Sequence, residues 1–187
     1  MKTVRNVTFV TIGLLLAGIM LSSGIVGTKA AESTTKDSAI QIALDDAGYS
    51  EGDVTFDDVE KGKEQGAAVY EIEFWTDTED FEYDIAIADG EIVSVSREKT
   101  DFSPSGPQVT KSEAKGAALA HAGLSKDEVT FTKDSIGTED GISVYEFNFE
   151  DSAAKYKYEI TKEGGEVLSY SKTIKTPACV SAANKAQ

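Results

Sequence analysis

Val69-Tyr70-Glu71-Ile72-Glu73-Phe74 recurs 75 residues later as Val144-Tyr145-Glu146-Phe147-Asn148-Phe149. In both stretches apolar and polar side chains alternate, the period of a β-strand with one face in a core and the other in water. The match extends outward without a gap, so that residues 35–96 reappear as 110–171. Upstream, Ala43-Leu44 and Ala47-Gly48 align with Ala118-Leu119 and Ala122-Gly123, and Val54-Thr55-Phe56 aligns with Val129-Thr130-Phe131. Downstream, Gly90-Glu91 aligns with Gly165-Glu166. The shared positions are mostly core-type apolar residues and turn glycines, which are the positions a fold needs. Two copies are too few for a solenoid, so each is expected to be a small domain in its own right.

Each copy opens with a helix. Thr110-Lys111-Ser112-Glu113 is a capping box ahead of Ala114, Ala117, Ala118, Leu119 and Ala122. In the first copy Thr34 or Thr35 can cap, and Ala39, Ile40, Ala43, Leu44 and Ala47 form one apolar face. Gly48 and Gly123 stop the helices from the left-handed position after the last turn. Strands follow. Val54 and Phe56 begin the first, a polar turn is expected around Gly62 to Gly66, and Tyr70, Ile72 and Phe74 point to one side of the next. A turn at Thr76 to Asp80 leads to Phe81, Tyr83, Ile85 and Ile87 in phase, and Asp89-Gly90 makes a hairpin to Val93 and Val95. The second copy reads likewise, with its hairpin at Gly164-Gly165. The fold class is α+β: two tandem repeats, each a helix packed on a three- to four-stranded antiparallel sheet.

The expected boundaries are 32–98 for the first domain, 99–109 for a stiff linker with Pro104 and Pro107, 110–173 for the second domain and 174–187 for a flexible tail. Residues 1–31 read as a secretory signal peptide. Lys2 and Arg5 precede the apolar stretch Val7 to Val26, and Thr28-Lys29-Ala30 offers a cleavage site ahead of Ala31. The rival is a retained anchor, since about 20 apolar residues can span a bilayer. Either way the product is exported, to the cell envelope or beyond.

Cys179 is the only cysteine, so no intramolecular disulfide can form and packing must supply the stability. The bland reading of Cys179 is a free surface thiol. The formal charge is −15, and loss of Lys2, Arg5 and Lys29 with the leader makes it −18. Such a charge excludes nucleic acid and an anionic membrane surface as partners, and permits cations or a basic protein.

The ordered set Lys36-x-x-Ala39, Ala43-Leu44, Ala47-Gly48, Val54-Thr55-Phe56, Val69-Tyr70-Glu71-Ile72-Glu73-Phe74, Tyr83-Asp84-Ile85 and Gly90-Glu91-Ile92 is similar to the PepSY domain. The second copy supplies the same set. The resemblance implies a domain found in propeptides of thermolysin-like metallopeptidases and in exported bacterial envelope proteins, one that binds or restrains peptidases. It implies no catalytic residues. This chain holds no peptidase domain of its own, so it would act in trans on an extracellular peptidase.

The residues themselves offer little chemistry. His121 is the only histidine, its counterpart in the first copy is Asp46, and near a helix end it reads as a solvated imidazole. Nucleophile, zinc, phosphate-loop and dinucleotide motifs are absent, so no enzyme and no cofactor are expected. Binding has more support. On the strand face away from the helix, the first copy presents Glu71, Glu73 and Trp75 beside Glu82 and Asp84. The second shows Glu146, Asn148 and Glu150 beside Lys155, Lys157 and Glu159, which reads as a self-compensated face. Like charges across strands are destabilising. Glu71, Glu73, Trp75, Glu82 and Asp84 are therefore the candidate partner-binding residues, with Trp75 as an apolar anchor. The bland alternative is a solvated acidic face with an incidental tryptophan. Asp77, Glu79 and Asp80, with Asp57 and Asp58, crowd oxygens near one turn, and a weak, non-selective calcium site is the most they support.

Overall fold

Thr35, in extended conformation, accepts a hydrogen bond from the Ser38 backbone N–H and starts α1 (Lys36–Ala47). Gly48, at φ 80°, ends it. The computed structural model describes residues 33–185, and the leader expected at residues 1–31 lies outside them. The capping box of the second helix forms as its sequence demands. Glu113 reaches back to the Thr110 N–H at 2.7 Å, and α2 (Lys111–Ala122) runs to Gly123 at φ 69°. Ala39, Ala43 and Leu44 of α1, and Ala114, Ala118 and Leu119 of α2, are buried. Small side chains on the packed side bring each helix close to the strands beneath it.

A single turn of 3₁₀ helix follows each helix, then four strands. The first copy gives β1 (Thr55–Glu64), β2 (Ala67–Trp75), β3 (Glu79–Ala86) and β4 (Ile92–Lys99). The second gives β5 (Thr130–Glu139), β6 (Ile142–Glu150), β7 (Ala154–Thr161) and β8 (Val167–Ile174). The first turn is not spread over Gly62 to Gly66. β1 continues through Gly62, and the chain reverses at Gln65-Gly66, with φ of 48° and 82°. Asp140-Gly141 does the same in the second copy, at 46° and 83°. Two consecutive left-handed residues match the twist of a two-residue hairpin.

The two copies are not separate small domains. They share one eight-stranded sheet in the order β1-β2-β3-β4-β8-β7-β6-β5, and the described residues form one compact unit. The seam is an antiparallel pairing of β4 with β8 that sets Ser94 opposite Thr173, Ser96 opposite Ser171 and Arg97 opposite Tyr170. An unpaired strand edge leaves a row of backbone donors and acceptors without partners. Joining the last strand of each copy removes two such edges. Tyr170 packs against the apolar clusters of both copies, so the cores meet across the seam. The first core stacks Phe74 on Phe81 at 4.9 Å, and the second stacks Phe149 on Tyr156 at 5.0 Å.

The stretch expected to be a flexible tail carries structure. β8 extends to Ile174, and Ala178–Lys185 forms α3. Cys179 and Val180 pack on Ala67, Val69, Ala86 and Val93, and the Ala178 N–H donates to Glu91 at 2.6 Å. These four residues would otherwise leave an apolar patch on the side of the sheet away from α1. Covering it provides the gain that orders the chain end. The thiol is accordingly half-buried rather than free on the surface. Among the described residues no helix is long and apolar enough to cross a membrane.

Candidate functional site

Because Tyr70, Ile72 and Phe74 turn toward α1, Glu71, Glu73 and Trp75 must turn away from it. The β2–β3 register then sets Glu71 opposite Asp84, Glu73 opposite Glu82 and Trp75 opposite Asp80. The sequence-predicted residues thus come together, and the like charges face one another directly. Beside them lies a depression of about 510 Å³ lined by Asp57, Glu73, Trp75, Glu82, Ser96 and Glu98 among others. Trp75 is 39% exposed, one of two large apolar side chains left in solvent among the described residues.

The electrostatics follow from this crowding. Burial first, then Glu64, Glu82 and Glu71, pushes the Asp84 carboxyl up to about 7. Partial loss of hydration, then Glu82, Asp57, Asp58 and Glu60, raises Glu73. Glu98 is raised by burial and then by Glu139, Glu159, Asp140 and Asp80. Among the described residues, no ion pair involves Glu71, Glu73, Glu82 or Asp84. The Glu71 carboxylate instead lies over Gly62 of β1, where a Cβ would meet it.

The second copy neutralises its face, by a route that differs from the one expected. Glu150 does oppose Lys155, but Glu146 faces Glu159 and Lys157 faces Asn148. Compensation for Glu146 comes from the edge strand, where Lys133 pairs with it and Ser135 donates to it at 3.0 Å. Those contacts, Lys133 foremost, lower the Glu146 pKa. Glu159 accepts from Ser169 at 2.9 Å, and Lys175 reaches Glu150 at 3.4 Å.

The oxygen-rich turn proposed for calcium loses a member. Glu79 is buried, accepting from the Tyr49 hydroxyl at 2.8 Å and from Arg97 at 2.5 Å. Its carboxylate is committed to holding β3, β4 and the end of α1 together. Another grouping, silent in the sequence, appears elsewhere: Glu98 of β4 meets Glu139 and Asp140 of the β5–β6 hairpin, with ligand oxygens within 4.8 Å of one another. These partners are far apart along the chain, and only the shared sheet brings them together.

His121 is less solvated than its position suggests. Its Nδ1 bonds to the Tyr158 hydroxyl at 2.9 Å, and its ring lies 4.7 Å from that of Tyr170. Burial, then Arg97, lowers its pKa. Asp46 does the same work in the first copy, accepting from Tyr83 at 2.9 Å. Both tie a helix end to the sheet. Cys179 lies on the opposite face, so histidine and thiol form no pair.

Residues 108–170 match the family model described as the peptidase propeptide and YPEB domain, PepSY. The second repeat is a PepSY domain. The first repeat reproduces its helix-plus-four-strand unit, consistent with a tandem arrangement. PepSY domains are generally non-catalytic. A 64-residue stretch is 41% identical to an uncharacterised protein of Streptococcus pyogenes serotype M6, covering 34% of this chain. The chain spans about half, 49%, of that relative's length. Two solved structures are similar at low scores. One is described as a lipoprotein of Clostridium difficile 630, with TM-score 0.31 and 16% identity over 78% of this chain and 96% of that one. The other is the Bacillus megaterium YpeB C-terminal domain, with TM-score 0.29 and 12% identity over 76% of this chain and 99% of that one.

Proposed function

We propose that this protein is an exported, non-enzymatic protein-binding module that modulates or inhibits an extracellular peptidase. The observation that carries the reading is the uncompensated face of the first copy. Glu71 opposes Asp84 and Glu73 opposes Glu82, beside an exposed Trp75, whereas the second copy places Lys157 at the position of Glu82 and Lys155 at that of Asp80. A basic patch on a partner would relieve this repulsion, and the tryptophan would supply an apolar anchor. The PepSY match supports a peptidase as the class of partner, since its description names peptidase propeptides. The test is titration of the protein into the secreted peptidases of its source while substrate hydrolysis is followed. Saturable inhibition near one-to-one stoichiometry is expected, weakened about tenfold or more by Glu73→Lys with Glu82→Lys. Unchanged inhibition in that double variant would remove the face from the reading.

A second reading, a cation-binding or structural envelope protein with no peptidase target, draws support from the approach of Glu98, Glu139 and Asp140. Equilibrium dialysis against calcium separates the two. Retained ion together with absent inhibition favours the second, and no retained ion disposes of its cation-binding form.

A further inference from the structure

Joining β4 to β8 leaves the sheet with two edges, β1 and β5, and the two copies treat them differently. β1 carries Lys61, whose ammonium lies 5.5 Å from the Tyr70 ring on the neighbouring strand. The same position in β5 is Ile136, opposite Tyr145, and it is 58% exposed. A lysine in mid-edge is a common guard against strand-to-strand association, and an isoleucine there removes the guard. The helix lysines are placed differently too, both Lys111 and Lys115 of α2 being held on Asp134 of β5. Lys36 donates to the Val59 backbone carbonyl of β1 at 2.9 Å, whereas its counterpart Lys111 turns to the Asp134 carboxylate at 2.8 Å.

We infer that β5 is a self-association edge whose partner is a second copy of this chain. Antiparallel pairing about a two-fold axis at Ile136 sets the two isoleucines against each other on one face. It sets Lys133 of each copy, which also pairs with Glu146 of its own sheet, opposite Glu139 of the other, and Asp134 opposite Thr138. Opposite charges and apolar residues in register are the pairs that stabilise an antiparallel ladder. The same operation on β1 would set Lys61 against Lys61 and Asp58 against Glu64, both like-charged, with Val59 against Lys63 and Glu60 against Gly62 between them. One edge is self-complementary and the other is self-repelling. The pairing would continue the eight-stranded sheet into a second molecule, and it uses none of the acidic face assigned above to a peptidase.

Cysteine cross-linking of the full chain in the cells that export it tests the register. In a Cys179→Ser background, Ile136→Cys is expected to give a disulfide-linked dimer under mild oxidation. Thr138→Cys and Lys61→Cys are expected to remain monomeric. No dimer from Ile136→Cys, or equal cross-linking from Lys61→Cys, would overturn the proposal. Co-purification of two differently tagged full chains gives an independent measure. Ile136→Lys, which copies the lysine β1 already carries and so leaves the fold intact, should cut recovery about tenfold. Undiminished recovery would also overturn it.

Discussion

At three positions the two copies carry opposite charges on or beside the same face of one sheet: Asp58, Asp80 and Glu82 in the first stand where Lys133, Lys155 and Lys157 stand in the second. The backbone is the same in both, and the buried aromatics on the other side correspond except that the first copy has Ile72 where the second has Phe147. The fold therefore accepts either sign and does not demand the acids of the first copy. Their mutual repulsion is a cost that packing elsewhere offsets, while the second copy carries Glu150 where the first exposes Trp75. One copy is internally balanced and the other is not.

The largest expected effect tests whether the halves can be compared as separate pieces at all. Phe147→Ala removes a fully buried ring from the second core and should destabilise the protein by about 3–5 kcal/mol. Because β4 and β8 share a ladder, the unfolding curve should stay a single transition by both fluorescence and circular dichroism. Two separated transitions would show that each copy folds alone.

A smaller effect isolates the strain in the first copy. Asp84 carries a folded-state pKa of about 7, well above its ordinary 3.8. Between roughly pH 4 and 7 the folded protein holds a proton that the unfolded chain has released. Stability must then fall as pH rises through that window, with the full penalty present above it. Asp84→Asn should flatten this slope and stabilise the protein at pH 8 by about 1–2 kcal/mol, since solvent screens part of the repulsion at this half-buried group. Urea midpoints from pH 4 to 8 measure it, and parallel curves for the two proteins would contradict the assignment.

The smallest effect exchanges a charge between the copies. Glu82→Lys gives the first copy the lysine found at position 157 and should stabilise it by about 0.5–1 kcal/mol at low salt. Lys157→Glu should cost a similar amount. Equal and opposite changes in thermal midpoint would confirm that the faces differ by charge alone, and a destabilising Glu82→Lys would show that the acids are structurally required.

Much of the acidic face is legible in the order of residues alone. The alternation in residues 69–74 places Glu71, Glu73 and Trp75 on one side, and the phase of 81–85 brings Glu82 and Asp84 beside them. The compensation of the second face is not legible in this way, because Lys133 lies on a strand interrupted by a bulge near Phe131, which shifts its register against β6. Glu79 resembles a free turn carboxylate because its partners, Tyr49 and Arg97, are distant along the chain.

The sequence alone determined the duplication, the helix-then-strands order, the helix caps and the inward-facing residues, since these depend on local periodicity and on conformational limits of single residues. Tertiary structure alone decided that β4 joins β8, that α3 seals the far side and that Glu98 meets Glu139 and Asp140. Backbone hydrogen bonds along a strand edge are the same for every sequence. Which edge finds which is therefore settled by the surface each pairing buries and the charges it brings together.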